Sequence, residues 1–313
     1  MEYILLIVGF VLLIKGADFF VDGASSIAAK LRVPSLIIGL TVVSMGTSMP
    51  EAAVSISASL GGNNGISLGN VVGSNIFNLL VVVGVSSMIL PIVTDMDVLK
   101  RDMPVSIVAT AILCAMLMDG NLSRLESIIL LVLLAAYMFT LVRSAMKNRT
   151  EEDEEQKIMS WTKSILFSVL GAAAIILGGQ LVVENAKVIA AALGMGETLI
   201  GLTVVAFGTS LPELVTSIVA AKKGDSGIAM GNGVGSNIFN ILFILGMAGT
   251  ISPMNADSAF FIDTGILIVV SVMMLIFAWT GKKTNRVEGA ISTLTYIAYT
   301  AYIIMRAFHI WIF

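Results

Sequence analysis

Long apolar runs separated by short polar breaks recur along the whole chain of 313 residues. Most runs are near 20 residues, about the length that an α-helix needs to cross the ~30 Å hydrocarbon layer of a bilayer. The alternating segments of about ten residues that are typical of a membrane β-barrel do not occur. The pattern therefore predicts an all-α membrane protein. The ten predicted transmembrane helices are 2–20, 34–60, 65–90, 103–118, 125–146, 162–184, 195–221, 228–250, 260–279 and 288–312.

Composition indicates the same class of protein. Hydrophobic residues make up 57% of the chain and charged residues only 12%, whereas about 25% of the residues of soluble domains are charged. Lipid is therefore the expected main solvent. The formal net charge of −3 provides no basic surface for nucleic acid, so we expect no nucleic-acid partner.

Lysine and arginine fall mainly on alternate connections between the predicted helices. Cytoplasmic loops carry an excess of these residues, so the distribution predicts a multi-pass protein of the cell membrane with both termini extracellular. It also places the acidic linker 147–161, with five consecutive acids at 151–155, in the cytoplasm. The basic side is formed by Lys30, Arg32, Lys100, Arg101, Arg143, Lys147, Arg149, Lys157, Lys163, Lys222, Lys223, Lys282, Lys283 and Arg286.

The chain contains an internal repeat at an offset of 162 residues. Segment 39–51 matches segment 201–213 at 10 of 13 positions, and segment 69–78 matches segment 231–240 at 9 of 10. Five predicted helices separate equivalent positions, and because five is odd the two copies must lie in opposite orientations. We therefore expect two inverted five-helix repeats, 1–146 and 162–313, joined by the linker 147–161. Secondary transporters commonly use this plan, with the substrate bound near the middle of the membrane.

Two glutamates, Glu51 and Glu213, lie well inside predicted transmembrane helices at equivalent positions of the repeat. An acidic side chain at the centre of a membrane helix costs about 2.5–3.5 kcal/mol on insertion scales. Two such carboxylates need compensation by protons or by a bound cation. A merely structural role for both acids is the alternative, and their duplicated setting argues against it.

Helical spacing surrounds each glutamate with further oxygen atoms. Thr47, Ser48 and Glu51 share one helix face, since residues four apart are neighbours, and Ser44 lies one turn earlier. The second copy repeats the arrangement, with alanine in place of Ser44. The next helix of each repeat carries a second polar face. These second-copy and second-helix residues are Ala206, Thr209, Ser210 and Glu213, then Asn70, Ser74 and Asn78, and Asn232, Ser236 and Asn240.

Proline follows each hydroxyl pair, at Pro50 and Pro212. A proline inside a helix removes one hydrogen bond and clashes with the carbonyl four residues earlier, so we expect freed carbonyls near Gly46 and Gly208.

Some polar residues near these motifs have expected roles other than ion binding. Ser55 has the residue type of a packing position between membrane helices. Asn75 and Asn237 point away from the asparagine faces, and helix–helix hydrogen bonds are their expected role.

An inventory of carboxylate, hydroxyl, amide and carbonyl oxygens favours Ca²⁺, which takes six to eight oxygen ligands in flexible geometry. Mg²⁺ fits less well because it requires tight octahedral geometry. Zinc or copper sites would normally show histidine or cysteine ligands. Na⁺ can use the same neutral oxygens, so competition between the two ions is physically reasonable.

The paired motifs Gly-Thr-Ser-x-Pro-Glu and Gly-Asn-x-x-Gly-Ser-Asn-x-x-Asn, present twice, resemble the α-repeats of the sodium/calcium exchanger family, within the cation/Ca²⁺ exchanger superfamily. The resemblance implies a ten-helix antiporter that commonly exchanges three Na⁺ for one Ca²⁺. It implies Ca²⁺ binding by Glu51, Glu213, Thr47 and Thr209, Na⁺ sites at Ser48, Ser210, Ser74 and Ser236 with the carbonyls of Ser44 and Ala206, and a centre completed by Asn78 and Asn240. Some relatives carry an aspartate at one of the last two positions, whereas this chain has amides at both.

Several alternatives remain open at this point. The first alternative to Na⁺/Ca²⁺ exchange is a closely related activity, either H⁺/Ca²⁺ exchange or K⁺-dependent Na⁺/Ca²⁺ exchange. A cation channel belongs to a different class, and channels usually build their filters around an oligomeric axis, whereas this site would be enclosed by a single protomer. We expect a monomeric transporter rather than an enzyme, with Ca²⁺ and Na⁺ as transported ions, H⁺ or K⁺ as the alternative coupling ions, and no organic cofactor.

Overall fold

The computed structural model describes residues 1–62, 64–147, 159–194, 206–256 and 258–307. Most of the predicted acidic linker, the first part of predicted helix 195–221 and the end of predicted helix 288–312 lie outside the described residues. The helices are α1 (Glu2–Leu31), α2 (Ser35–Thr47), α3 (Met49–Leu60), α4 (Asn64–Ile89), α5 (Val98–Asp119), α6 (Arg124–Lys147), α7 (Trp161–Ala192), α8 (Ala206–Thr209), α9 (Leu211–Lys222), α10 (Ser226–Ile251), α11 (Ser258–Trp279) and α12 (Arg286–Ala307).

The described part of the chain is that of a helical membrane protein. Seven of its helices are long and apolar enough to cross a bilayer, and α2 with α3 forms a bent pair that makes an eighth. The bounds of α4, α6, α10 and α11 agree within two residues with the predicted spans. Helix α12 covers most of predicted span 288–312 but is not among the seven.

Helices α4 and α10 form the centre of the molecule. In the most apolar stretch of each central helix, 78% of the residues are buried, whereas the corresponding share in the other candidate membrane-spanning helices is 22–39%. Lipid can therefore contact the outer helices, while α4 and α10 are enclosed by protein. Both central helices contain a π-helical turn, at Asn78–Val83 and at Asn240–Leu245.

Helices α1 and α7 are longer than the sequence predicts. The prediction ends the first helix at residue 20, but α1 continues to Leu31 and stops only where Arg32 takes a left-handed conformation. The acids Asp18 and Asp22 do not end the helix; both are partly exposed and pair with Lys223. Hydropathy locates the apolar part of such a helix but not its polar continuation.

Helices α1 and α7 pack against each other with opposite chain directions. A Cβ atom added at Gly9, Gly16 or Gly23 would lie 2.8–3.0 Å from a backbone carbonyl of α7. The three carbonyls belong, in that order, to Gly178, Gly171 and Ser164. Small residues at seven-residue spacing on both helices thus allow the two backbones to approach closely, as is common between membrane helices.

Two short antiparallel ribbons, which the all-α prediction omits, connect distant parts of the chain. Strand β1 (Ile92–Val93) pairs with β4 (Lys283–Thr284), and β2 (Asn121–Leu122) pairs with β3 (Met254–Asn255). Adding 162 to the residues of β1 and β2 gives those of β3 and β4. Two-residue strands have too few positions to show a period-two pattern, so the sequence does not reveal them.

The close α1–α7 contact gives a first prediction. In Gly171→Ala, the added Cβ would lie 2.6 Å from the backbone nitrogen of Phe20. We expect this overpacking to lower the free energy of unfolding by about 1–3 kcal/mol. Thermal unfolding in detergent measures this as a lower melting temperature. Gly265→Ala in α11 is the matched control, since no atom lies within 4 Å of the added Cβ. Equal melting temperatures for both variants would contradict the packing described here.

Candidate cation site

Two helix breaks lie at equivalent positions of the chain. Ser48 separates α2 from α3, which are bent by 49°, and Ser210 separates α8 from α9. Both serines have nearly the same backbone angles, φ −82° and ψ 8° against φ −93° and ψ 7°. Pro50 and Pro212 follow in the first turn of the next helix. Because proline has no N–H, the carbonyls four residues earlier lose their usual helical donor.

The two breaks are joined by crossed hydrogen bonds. The Ser48 hydroxyl donates to Oε1 of Glu213 at 2.8 Å, and the Ser210 hydroxyl donates to Oε1 of Glu51 at 3.0 Å. Ser210 also lies 3.1 Å from the hydroxyl of Ser74. Both glutamates are completely buried. Each acid is therefore held by a hydroxyl from the other half of the chain.

Asn232 fixes the helix that carries Glu213. Its amide nitrogen donates to the backbone carbonyl of Glu213 at 3.1 Å and to the hydroxyl of Ser217 at 2.9 Å. Its amide oxygen accepts from Thr47 at 2.9 Å. One side chain thus connects α9, α10 and α2.

Asn70 has the same role in the first half of the chain. Its amide nitrogen donates to the carbonyl of Glu51 at 3.3 Å and to Ser55 at 2.9 Å. Ser55 is therefore a hydrogen-bonding partner of the site rather than a packing residue. The sequence did contain a signal, since the spacing from Ser55 to Asn70 recurs from Ser217 to Asn232.

Asn75 and Asn237 join the two central helices. Each amide nitrogen donates to the other residue's backbone carbonyl at 3.1 Å, as the sequence predicts for these residues. Asn75 also accepts from the amide nitrogen of Asn240 at 3.0 Å. The two π-helical turns begin at Asn78 and Asn240, and single π-turns inside α-helices are frequent at functional sites.

Several buried polar atoms of these helices have no hydrogen-bond partner in the described part of the chain. Most buried polar groups in proteins are paired, so each exception requires an explanation. The atoms on the predicted site residues are Oε2 of Glu51, Oε2 of Glu213, both amide atoms of Asn78, Oδ1 of Asn240 and the hydroxyl of Ser236. All but one are oxygens, the ligand atoms that Na⁺ and Ca²⁺ require.

The remaining predicted site residues lie on the same elements. Thr47 and Thr209 are buried one residue before the two breaks. The Ser44 hydroxyl donates to the carbonyls of Leu40 and Thr41 on its own helix, and the Ser44 carbonyl accepts from the backbone N–H of Ser48 at 3.0 Å. Ala206 is the first residue of α8. In the described residues, no group of three His, Cys, Asp or Glu could hold a metal ion, so neutral oxygens must complete any cation site.

Comparison with known proteins identifies the family. A sequence model of the family described as sodium/calcium exchanger protein matches residues 1–143 and 163–305. The chain belongs to the sodium/calcium exchanger family. Among curated relatives of this exchanger-family protein, the sodium/calcium exchanger MaX1 of Methanosarcina acetivorans is 37% identical, with 95% of this chain and 97% of the relative aligned. The inner membrane protein YrbG of Escherichia coli is 36% identical, with 95% of both chains aligned.

A solved structure of the sodium-calcium exchanger NCX_Mj, soaked with Na⁺ and Sr²⁺, resembles this exchanger-family protein with a TM-score of 0.85 at 34% identity. The match covers 96% of this chain and 98% of that one. A structure of NCX_Mj soaked without Na⁺ and Ca²⁺ gives a TM-score of 0.84 at 33% identity. The similarity therefore extends over nearly the whole fold.

The crossed hydrogen bonds give a second prediction. Ser48→Ala removes the donor to Glu213, and a hydrogen bond to a charged group is worth about 1.5–3 kcal/mol. We expect Ca²⁺ affinity, measured by calorimetry on the purified protein, to fall about tenfold. Ser87→Ala is the control, because buried Ser87 donates only to the Val83 carbonyl of its own helix. Unchanged affinity in Ser48→Ala would show that this contact does not position the acid.

Proposed function

We propose that the protein exchanges Na⁺ for Ca²⁺ across the membrane by alternating access, with the ions bound between two inverted five-helix repeats. The crossed pair of hydrogen bonds carries this proposal. Ser48 holds Glu213, Ser210 holds Glu51, and both buried carboxylates keep a second oxygen without a partner. Two half-sites from the two halves of one chain then make one cation site.

Charge balance explains why the ions would compete. Two buried carboxylates carry two negative charges, which one Ca²⁺ neutralises. The unpaired oxygens can contribute to the six to eight ligands that Ca²⁺ takes. When Ca²⁺ leaves, several Na⁺ ions can neutralise the same acids and use neighbouring hydroxyl and carbonyl oxygens. Bare carboxylates in a membrane interior are costly, so an empty site is disfavoured and exchange is coupled.

The ligands are assigned as follows. Ca²⁺ is held by Glu51, Glu213, Thr47 and Thr209, Na⁺ by Ser48, Ser210, Ser74 and Ser236 with the backbone carbonyls of Ser44 and Ala206, and Asn78 and Asn240 complete the centre. This assignment is supported by burial of the side chains and by the unpaired oxygens described above.

The proposed repeats, 1–146 and 162–313, are supported by contacts that recur with the two halves exchanged. Arg124 donates to the carbonyl of Ile251 at 3.4 Å, and Arg286 donates to the carbonyl of Ile89 at 3.4 Å. The offset of 162 converts each contact into the other. The same offset also exchanges the two ribbons, the two crossed serine–glutamate hydrogen bonds and the glycine–glycine contacts between α1 and α7. Such reciprocal contacts are the mark of a two-fold relation, here between two halves of a single chain.

Both termini are proposed to be extracellular, with the basic side and the linker 147–161 in the cytoplasm. A monomer suffices for transport in this proposal, because both glutamates of the site belong to one chain.

A flux measurement tests the proposed function. Liposomes loaded with Na⁺ and containing the purified protein should accumulate Ca²⁺ against its gradient, and Glu51→Gln and Glu213→Gln should each abolish uptake because one negative charge is lost from the site. Glu126→Gln and Glu288→Gln are the matched controls. These glutamates are also repeat equivalents, but each accepts from a backbone N–H at the start of its helix, so uptake should be retained.

The same assay separates the alternatives. Uptake that ignores Na⁺ and follows a pH gradient would contradict Na⁺ coupling and identify H⁺/Ca²⁺ exchange. A requirement for K⁺ would identify the K⁺-dependent type. Single-channel currents would identify a channel. If three Na⁺ move against one Ca²⁺, uptake should also depend on the membrane potential, at about 2.3 kcal/mol per 100 mV for the net charge.

Site-directed labelling tests the proposed orientation. Met118, at the end of α5, is 76% exposed, and Lys283 in β4 is exposed on the basic side. A membrane-impermeant thiol reagent added to intact cells should label Met118→Cys but not Lys283→Cys, which should react only after permeabilisation. The reverse result would mean that the chain is inserted the other way round.

A further inference from the structure

The turn between α9 and α10 is tied to α1 on the basic side of the molecule. The Lys223 ammonium lies 2.7 Å from a carboxylate oxygen of Asp22 and 3.3 Å from one of Asp18. It also donates to the backbone carbonyl of Asp18 at 2.9 Å. The pairs are partly exposed, with about a third of the Lys223 side chain accessible, so they are accessible to solvent and can break reversibly.

Asp225 adds a second connection at the same turn. One of its carboxylate oxygens accepts from Ser25 of α1 at 3.0 Å. The other accepts from Ser35 at 2.8 Å and from the backbone N–H of Ile228 at 2.9 Å. A single carboxylate therefore holds α1, the start of α2 and the start of α10 together.

The repeat equivalent of Lys223 on the opposite side of the molecule lacks this chemistry, while Asn63, the equivalent of Asp225, lies outside the described residues. The offset of 162 relates Lys223 to Gly61, which has no side chain, and Asp22 to Glu184. Glu184 pairs instead with Lys187 on its own helix at 3.0 Å. The two ribbons and the crossed serine–glutamate hydrogen bonds are reciprocal, but the Lys223 ion pair is restricted by sequence to the basic side.

Other polar side-chain contacts of α1 lie near the start of α7. Ser26 lies 2.8 Å from the hydroxyl of Ser164 and accepts from the backbone N–H of Met159 at 3.0 Å, and Lys30 lies over the ring of Trp161. Glycines allow the close backbone approach of α1 and α7. A cavity of about 1060 Å³ opens beside the turn and is lined by Asp22, Lys223 and Asp225 among others. Solvent therefore reaches this connection.

We propose that Lys223 and Asp225 form a latch that holds α1 against the α9–α10 turn and closes the space between them from the basic side. Opening on this side requires the latch to break, whereas Gly61, the repeat equivalent of Lys223, has no side chain that could form such an ion pair. The free-energy cost of opening then differs between the two sides of the protein. The placement of the basic side in the cytoplasm rests on the proposed function, but the latch itself does not.

Cysteine labelling tests the latch directly. In a Cys114→Ser background, Ala24→Cys introduces a fully buried reporter on α1 between the latch contacts of Asp22 and Ser25. We expect Lys223→Gln to increase the rate at which an impermeant maleimide, added from the basic side at fixed Na⁺, labels this cysteine. An increase of about two- to fivefold is expected for loss of partly exposed pairs. Asp22→Asn should act in the same direction.

Two controls make the result specific. Lys223→Arg keeps the charge and should label at the parental rate, and Lys222→Gln removes the charge of the exposed neighbouring lysine and should change nothing. A parental rate in both Lys223→Gln and Asp22→Asn would overturn the latch, as would an equal increase in Lys222→Gln. Labelling requires no transport, so failure of Na⁺-driven uptake would count against the proposed function and leave this test intact.

Discussion

Two carboxylates buried in a helical membrane protein constrain the structure around them more than any other feature. Glu51 and Glu213 are fully buried, and an acid in such a place is tolerated only with compensating partners. Part of the compensation comes from the hydroxyls of Ser48 and Ser210. Each acid keeps one oxygen without a partner in the described part of the chain, and the proposed function assigns the remaining compensation to a bound cation. The helix breaks carry the serines, and the packing of the two halves brings each serine within reach of the opposite acid.

Because the two halves exchange partners, neither half by itself supplies the hydrogen bonds that hold its own glutamate. Each glutamate takes its serine from the other half, and the first-half Thr47 donates to Asn232 of the second. A displacement of one half relative to the other would therefore change the hydrogen-bond partners of both glutamates together. A site built in this way is sensitive to the arrangement of its two halves. Asn232 is central because it links the backbone of Glu213 to α2.

Differences between the halves are found around this symmetric centre. Asn240 is held by Asn75, whereas both amide atoms of Asn78 have no partner among the described residues. The repeat equivalent of Ser44 is Ala206, which has no hydroxyl. The repeat equivalent of Lys223 is Gly61, which cannot form the ion pair of the latch. Symmetry thus supplies the shared chemistry of the site, and local departures from it make the two sides of the protein unequal.

The sequence by itself determined the class of protein, most of its apolar helices and the residue types of the site. Apolar runs, the offset of 162 and proline after a hydroxyl pair are local signals, because hydrophobicity and backbone hydrogen bonding act within a helix. It did not determine that α1 reaches Leu31, since hydropathy marks only the apolar part of this helix, and the partner of Asp22 in its polar part is Lys223, about 200 residues away. Nor did it determine which serine holds which glutamate. Spacing places Ser48 beside Glu51 on one helix, but the hydrogen bond goes to Glu213, because only the packing of the two halves decides which buried donor lies within reach of which acid.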